Sequence, residues 1–137
     1  MLKVAIVGCG KIADSHLAEI RRIEGCEVVA ACDREPLMAQ QLCERFPIKR
    51  HFSDLTELLN EARPDVVHIT TPPESHFQIA KLCLQHGTHV YVEKPFTLYE
   101  DEAQGLIAIA NEKGLKITAG HDDQLCPSVC SGGPRLV

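Results

Sequence analysis

Short, dominantly apolar runs alternate along this chain with longer stretches whose apolar positions return every three or four residues. Leu2 to Val7, Val28 to Cys32, Val66 to Thr70, His89 to Val92 and Lys116 to Ala119 are runs of the first kind, and each predicts a strand. A short further strand is expected through Arg50 to Phe52. Between them, Lys11 to Ile23 predicts a helix with Ile12, Ala13, Leu17 and Ile20 turned inward. A second helix is expected from Glu35 to Phe46, with Pro36 in its first turn. Asp54 followed by Glu57 reads as the capped start of a third, which ends before Pro64. Glu74 to His86 predicts a helix stopped by Gly87. Thr97-Leu98-Tyr99-Glu100 has the spacing of a capping box, opening a helix with Ala103, Leu106, Ile107 and Ala110 on one face and Gly114 beyond its end.

Strand and helix thus alternate with little interruption, and the strands lack the in-and-out pattern of a sheet with one wet face. Together these features predict an α/β protein, a doubly wound, mostly parallel Rossmann-type sheet with helices on both faces. Residues 1–120 make one such domain. Residues 121–137 read as an interdomain segment followed by an irregular tail, since 126–137 carry two prolines, two glycines and no periodicity.

Composition narrows the functional classes. A net charge of −5 argues against binding a nucleic-acid backbone, which calls for a basic face, but leaves room for a small anion held by backbone amides. No apolar stretch approaches the roughly 20 residues that span a bilayer. The opening residues do not resemble a signal peptide, and seven cysteines stand singly along the chain. Free thiols in a reducing cytoplasm suit that pattern better than disulfides.

In such a fold Gly8-Cys9-Gly10-Lys11-Ile12-Ala13 occupies the first strand-to-helix turn. Gly8 permits the tight turn, Gly10 lets the backbone approach a pyrophosphate, and Ala13 lets the helix lie close to its strand. The amides that open the helix face the phosphates with the helix dipole behind them. Asp33 ends the second strand about 20 residues on, where a carboxylate accepts hydrogen bonds from the adenosine ribose. Its charge repels a 2′-phosphate and favours NAD, while the neighbouring Arg34 could pair with that phosphate and leaves NADP open.

Two later stretches also fall at strand carboxyl ends, where open parallel sheets bind ligands: Thr70-Thr71-Pro72-Pro73-Glu74-Ser75-His76 and Val92-Glu93-Lys94-Pro95. A lysine beside a nicotinamide ring could exchange a proton with a substrate hydroxyl, provided that neighbouring positive charge lowers its pKa. Read without a cofactor, Glu93-Lys94 is a solvated surface pair. His68, inside an apolar strand, is expected to be a satisfied core histidine, and Cys9 lacks a local base that would make it a nucleophile. His121, Cys126 and Cys130 lack the paired spacing and fourth partner of a zinc site.

These residues together carry a resemblance. Gly8 to Ala13, Asp33, the stretch from Thr71-Pro72 to His76, and Glu93-Lys94-Pro95 resemble the N-terminal nucleotide-binding domain of the glucose-fructose oxidoreductase / inositol dehydrogenase (Gfo/Idh/MocA) family. Ala119-Gly120-His121-Asp122 is similar to that family's crossing into its substrate domain. The resemblance implies an NAD(P)-dependent oxidoreductase acting on sugars, polyols or related alcohols. It implies that Lys94 is the substrate-binding and proton-relay residue, that Glu93 lies near the nicotinamide ribose, and that Thr71, Pro72 and His76 line the cofactor between its halves. It also implies a cis peptide before Pro95. A second domain supplying most substrate contacts is expected in such a protein, and nothing after Gln124 can supply it. The isolated chain is therefore expected to be inactive and to self-associate through the surface left by that domain. A non-catalytic NAD(P)-binding sensor or interaction module is the alternative. An S-adenosylmethionine-binding domain shares the glycine turn but gives no reason for Glu93-Lys94-Pro95.

Overall fold

The computed structural model describes residues 2–93 and 96–119. Six strands, β1 (Leu2–Val7), β2 (Cys26–Cys32), β3 (His51–Phe52), β4 (Val66–Ile69), β5 (His89–Val92) and β6 (Ile117–Ala119), form one sheet in the order β3-β2-β1-β4-β5-β6. Every neighbouring pair is parallel. Among the described residues the α-helices are α1 (Lys11–Ile20), α2 (Pro36–Arg45), α3 (Leu55–Glu61), α4 (His76–Gln85) and α5 (Glu100–Lys113).

Continuous apolar strands are what a sheet covered on both faces requires, and alternate side chains enter two separate cores. Val4 and Ile6 of β1 pack with Ala13, Leu17 and Ile20 of α1 and Leu42 of α2. Ala5 and Val7 face the opposite way, into a core closed by Leu58 of α3, Leu84 of α4 and Leu106 of α5.

The predicted elements form with three corrections. Ile12 does not turn inward. It is 50% exposed, because the buried stripe of α1 runs through Ala13, His16, Leu17 and Ile20, and Ile12 lies off that stripe. The stretch from Pro73 begins as a 3-10 turn, Pro73–Ser75, before α4 starts at His76. The Thr97 capping box does not form, since Tyr99 is the N-cap and the Thr97 hydroxyl donates to the Tyr99 carbonyl at 2.8 Å. Glu100, Asp101 and Glu102 instead place negative charge against the positive end of the α5 dipole. Asp54 does cap α3, accepting from the Thr56 amide at 3.0 Å, and Gly114 ends α5 in the left-handed conformation.

Candidate functional site

Successive crossovers in the sheet run one way from β1 to β3 and the other way from β4 to β6, so the order reverses between β1 and β4. Chain leaving the carboxyl ends of neighbouring strands diverges there and opens a crevice. The crevice holds about 940 Å³ and is lined by the β1–α1 turn, Asp33 and Arg34 after β2, Thr70 to Pro73 after β4, and Glu93 after β5. That volume lies in the range of small-molecule sites.

The floor of the crevice explains its two glycines differently. Gly8 has a φ of +95°, and a Cβ there would stand 2.8 Å from both the Thr70 carbonyl carbon and the Thr71 nitrogen. The Thr70 hydroxyl donates to the Gly8 carbonyl at 2.6 Å and ties the β4 loop to the turn. Gly10 is the N-cap of α1, with ordinary backbone angles and no side-chain cap. A Cβ on Gly10 would meet nothing within 4 Å, and the space in front of the opening amides of α1 stays clear. Ala13 is fully buried against the sheet.

Asp33 stands at the β2 end with both carboxylate oxygens tied to backbone. Oδ2 accepts from the Cys9 amide and Oδ1 from the Glu35 amide, each at 2.8 Å. Each oxygen keeps a further lone pair for a hydroxyl from a ligand. The Cys9 amide is thereby committed to Asp33, and the Cys9 thiol is buried, 3.3 Å from the Cys32 carbonyl. Burial first, and then the nearby Asp33 charge, push the Cys9 and Cys32 thiols up to about 12. Neither thiol is a nucleophile at neutral pH.

At the other end, Glu93 is held from below. The Oε2 of Glu93 lies 2.5 Å from Nε2 of His16, which is buried on the inner face of α1. His16 Nδ1 lies 3.2 Å from Nδ1 of His68 on β4. The His68 ring stacks on Tyr91 of β5, with centroids 4.7 Å apart and planes 12° from parallel. Burial, and secondarily His16, hold the His68 pKa down to about 3, so this histidine is neutral. Tyr91 is pushed up to about 12 by burial, with the charges of Glu93 and Glu19 adding to it.

Residues 2–121 match the model of an oxidoreductase family with an NAD-binding Rossmann fold. The chain belongs to the Gfo/Idh/MocA family. It is 29% identical over 134 residues to D-apiose dehydrogenase of Paraburkholderia graminis, an alignment covering 98% of this chain and 36% of that protein. It is 31% identical over 118 residues to inositol 2-dehydrogenase of Salmonella typhimurium, covering 85% of this chain and 35% of the relative. Among solved structures, the WlbA dehydrogenase of Bordetella pertussis in complex with NADH and UDP-GlcNAcA superposes with a TM-score of 0.82 at 27% identity. That superposition covers 86% of this chain and 36% of the other. The chain thus spans little more than a third of the length of these relatives.

Within this Gfo/Idh/MocA domain, Gly8, Cys9, Gly10, Lys11, Ile12, Asp33, Arg34, Thr71, Pro72 and Glu93 come together around the one crevice. His76 does not line it. Its buried ring lies 2.8 Å from the Thr71 carbonyl and 3.2 Å from that of Phe96, bracing the β4 loop from beneath. Ser75 assists, with its hydroxyl oxygen 2.7 Å from Thr71 Oγ1 and 2.8 Å from the Pro72 carbonyl. Lys94, the peptide before Pro95, and His121, Cys126 and Cys130 lie outside the described residues. Among the described residues no group of histidine, cysteine and acidic side chains could hold a metal, and no helix is long and apolar enough to cross a membrane. Sequence reasoning missed His16. Its signal was its place between Ala13 and Ile20 on the buried stripe of α1, where a histidine needs a polar partner.

Proposed function

We propose that the crevice binds NAD, with the adenosine ribose at Asp33, the pyrophosphate over Gly10 and the opening amides of α1, and the nicotinamide half toward Glu93. The observation that carries this reading is the clear space before Gly10, flanked by a carboxylate that backbone amides hold at the end of β2. Helix amides and the α1 dipole suit a pyrophosphate, and a fixed carboxylate suits vicinal ribose hydroxyls. Arg34 on the rim leaves some tolerance for NADP. Bound there, the dinucleotide accepts or donates a hydride. The protein's own part is to orient it, hold water off one side, and present Lys94, next in sequence after Glu93, as the group that exchanges a proton with a substrate hydroxyl.

The substrate we infer is a CH–OH carbon of a sugar, polyol or related alcohol, the class that the apiose and inositol relatives are named for. Because the chain spans about a third of such enzymes, the 137 residues alone should bind the cofactor weakly and turn over no substrate. The side of β5 and β6 away from α4 and α5, where Tyr91 and Thr118 stay only partly buried, is the surface through which they would self-associate. A reducing cytoplasm suits Cys9, Cys26, Cys32, Cys43 and Cys83, all of which are free thiols.

Titration calorimetry with NADH tests the cofactor reading. Gly10→Val should abolish binding while leaving the melting temperature near that of the wild type, because its side chain fills only the pyrophosphate's space. Equal NADH affinity in the two proteins would overturn the reading.

A further inference from the structure

The pairing of Glu93 with His16 reaches further than a structural bond. An ionised Glu93 only accepts, so Nε2–H of His16 donates to it. If His16 is neutral, its Nδ1 accepts from Nδ1–H of His68. If His16 is doubly protonated, its Nδ1–H donates instead, and His68 carries its single proton on Nε2. Both arrangements satisfy the contact, and His68 stays uncharged in each because burial disfavours its cation. Among the described residues, the groups that face His16 are His68 from β4, Tyr91 from β5, Glu93 just after it, and Glu19 on its own helix beside the same pocket.

The His16–Glu93 pair accordingly carries one negative charge when His16 is neutral and none when it is protonated. Glu93 lines the crevice at the opposite end from Asp33. With the adenosine at Asp33, the nicotinamide lies toward Glu93, and this step rests on the cofactor reading above. The oxidised ring is a cation and the reduced ring is neutral, so a charge at Glu93 acts on one and not the other. We propose that His16 is a positioning residue that sets the charge Glu93 presents to the nicotinamide, so that the preference for oxidised over reduced dinucleotide follows the His16 proton. Residues from three elements, none adjacent in sequence, make this device.

Its test uses the whole 137-residue chain and the dissociation constants of NAD+ and NADH, measured at about pH 8 and about pH 5. In the wild type the ratio of the NADH constant to the NAD+ constant should fall about tenfold from the higher pH to the lower, the scale of one partly screened charge. Glu93→Gln keeps the size and should give a low ratio at both pH values. His16→Gln retains a donor that does not titrate and should give a high ratio at both. If His16→Gln does not fold, Glu93→Gln decides alone. A wild-type ratio that does not move overturns the proposal. So does a Glu93→Gln protein that keeps the wild-type pH dependence, which would assign the effect to His76 beneath the β4 loop. If neither dinucleotide binds at either pH, the cofactor reading falls and takes the proposal with it; if both bind with an unmoving ratio, the proposal falls alone.

Discussion

Two carboxylates stand at opposite ends of one crevice, and they are held in different ways. Asp33, at the end of β2, accepts from two backbone amides, Cys9 and Glu35, whose protonation never changes. Glu93, at the end of β5, is held by a buried histidine that is itself held by a second histidine. Backbone donors make a fixture: amides neither gain nor lose a proton, and the geometry at the Asp33 end comes with the turn. A side-chain relay makes something adjustable, because in the role proposed above a proton on His16 offsets the charge that Glu93 presents. Recognition of an unchanging part of a ligand suits the first arrangement. Response to a part that changes charge suits the second.

The largest effect expected from breaking this contrast is at Asp33. Replacing it with Ser removes the acceptor and the charge together and should weaken NAD binding about tenfold or more, the scale of a lost charge-assisted hydrogen bond. The same substitution should shift the NADP-to-NAD preference toward NADP by a comparable factor, since no charge then faces the 2′-phosphate. Isothermal titration at about pH 8 and about pH 5 should show the same NAD loss at both, because amides rather than a titrating group hold Asp33. A loss that changes with pH would make the two ends alike.

A smaller effect concerns folding and isolates the lower part of the relay. His68 has its folded pKa lowered from 6.5 to about 3, so the unfolded chain takes up a proton that the folded chain refuses. The stability due to neutral His68 is therefore fully present above pH 6.5 and is lost as the pH falls toward 3. The slope from this one group approaches about 1.4 kcal/mol per pH unit. Urea unfolding between those limits should show His68→Gln with a shallower decline than the wild type. An equal decline would mean that His68 is protonated in the fold.

The architecture was legible because each strand between two covered faces must be apolar along its length, and helix signals fill the gaps between strands. The glycine turn between β1 and α1 was legible for a local reason too, since Gly8, Cys9 and Gly10 are consecutive and Ala13 stands three positions on. What escaped was either rotational or long-range. Counting Ile12 into the stripe of α1 shifted its phase and hid His16. The bond from His16 to Glu93 spans 77 positions, and no spacing rule reaches that far. His76 matched a motif whose implied role was to line the ligand, yet its ring lies under the loop, since carbonyls of Thr71 and Phe96 converge on it there. Thr97 had the spacing of a cap, but Tyr99 took the place.

The claim on which the rest depends is the direction in which the dinucleotide lies across the crevice. Backbone amide resonances of the isotope-labelled chain, followed while NADH and, separately, ADP are added, measure it directly. ADP has the adenosine and both phosphates but neither the nicotinamide nor the ribose that carries it. Both ligands should shift the amides of Gly10, Lys11, Ile12 and Arg34, and only NADH should shift that of Glu93. Equal shifts at Glu93 from the two ligands, or shifts at Arg34 that need the nicotinamide, would contradict the placement of the adenosine at Asp33 and of the nicotinamide at the end of β5.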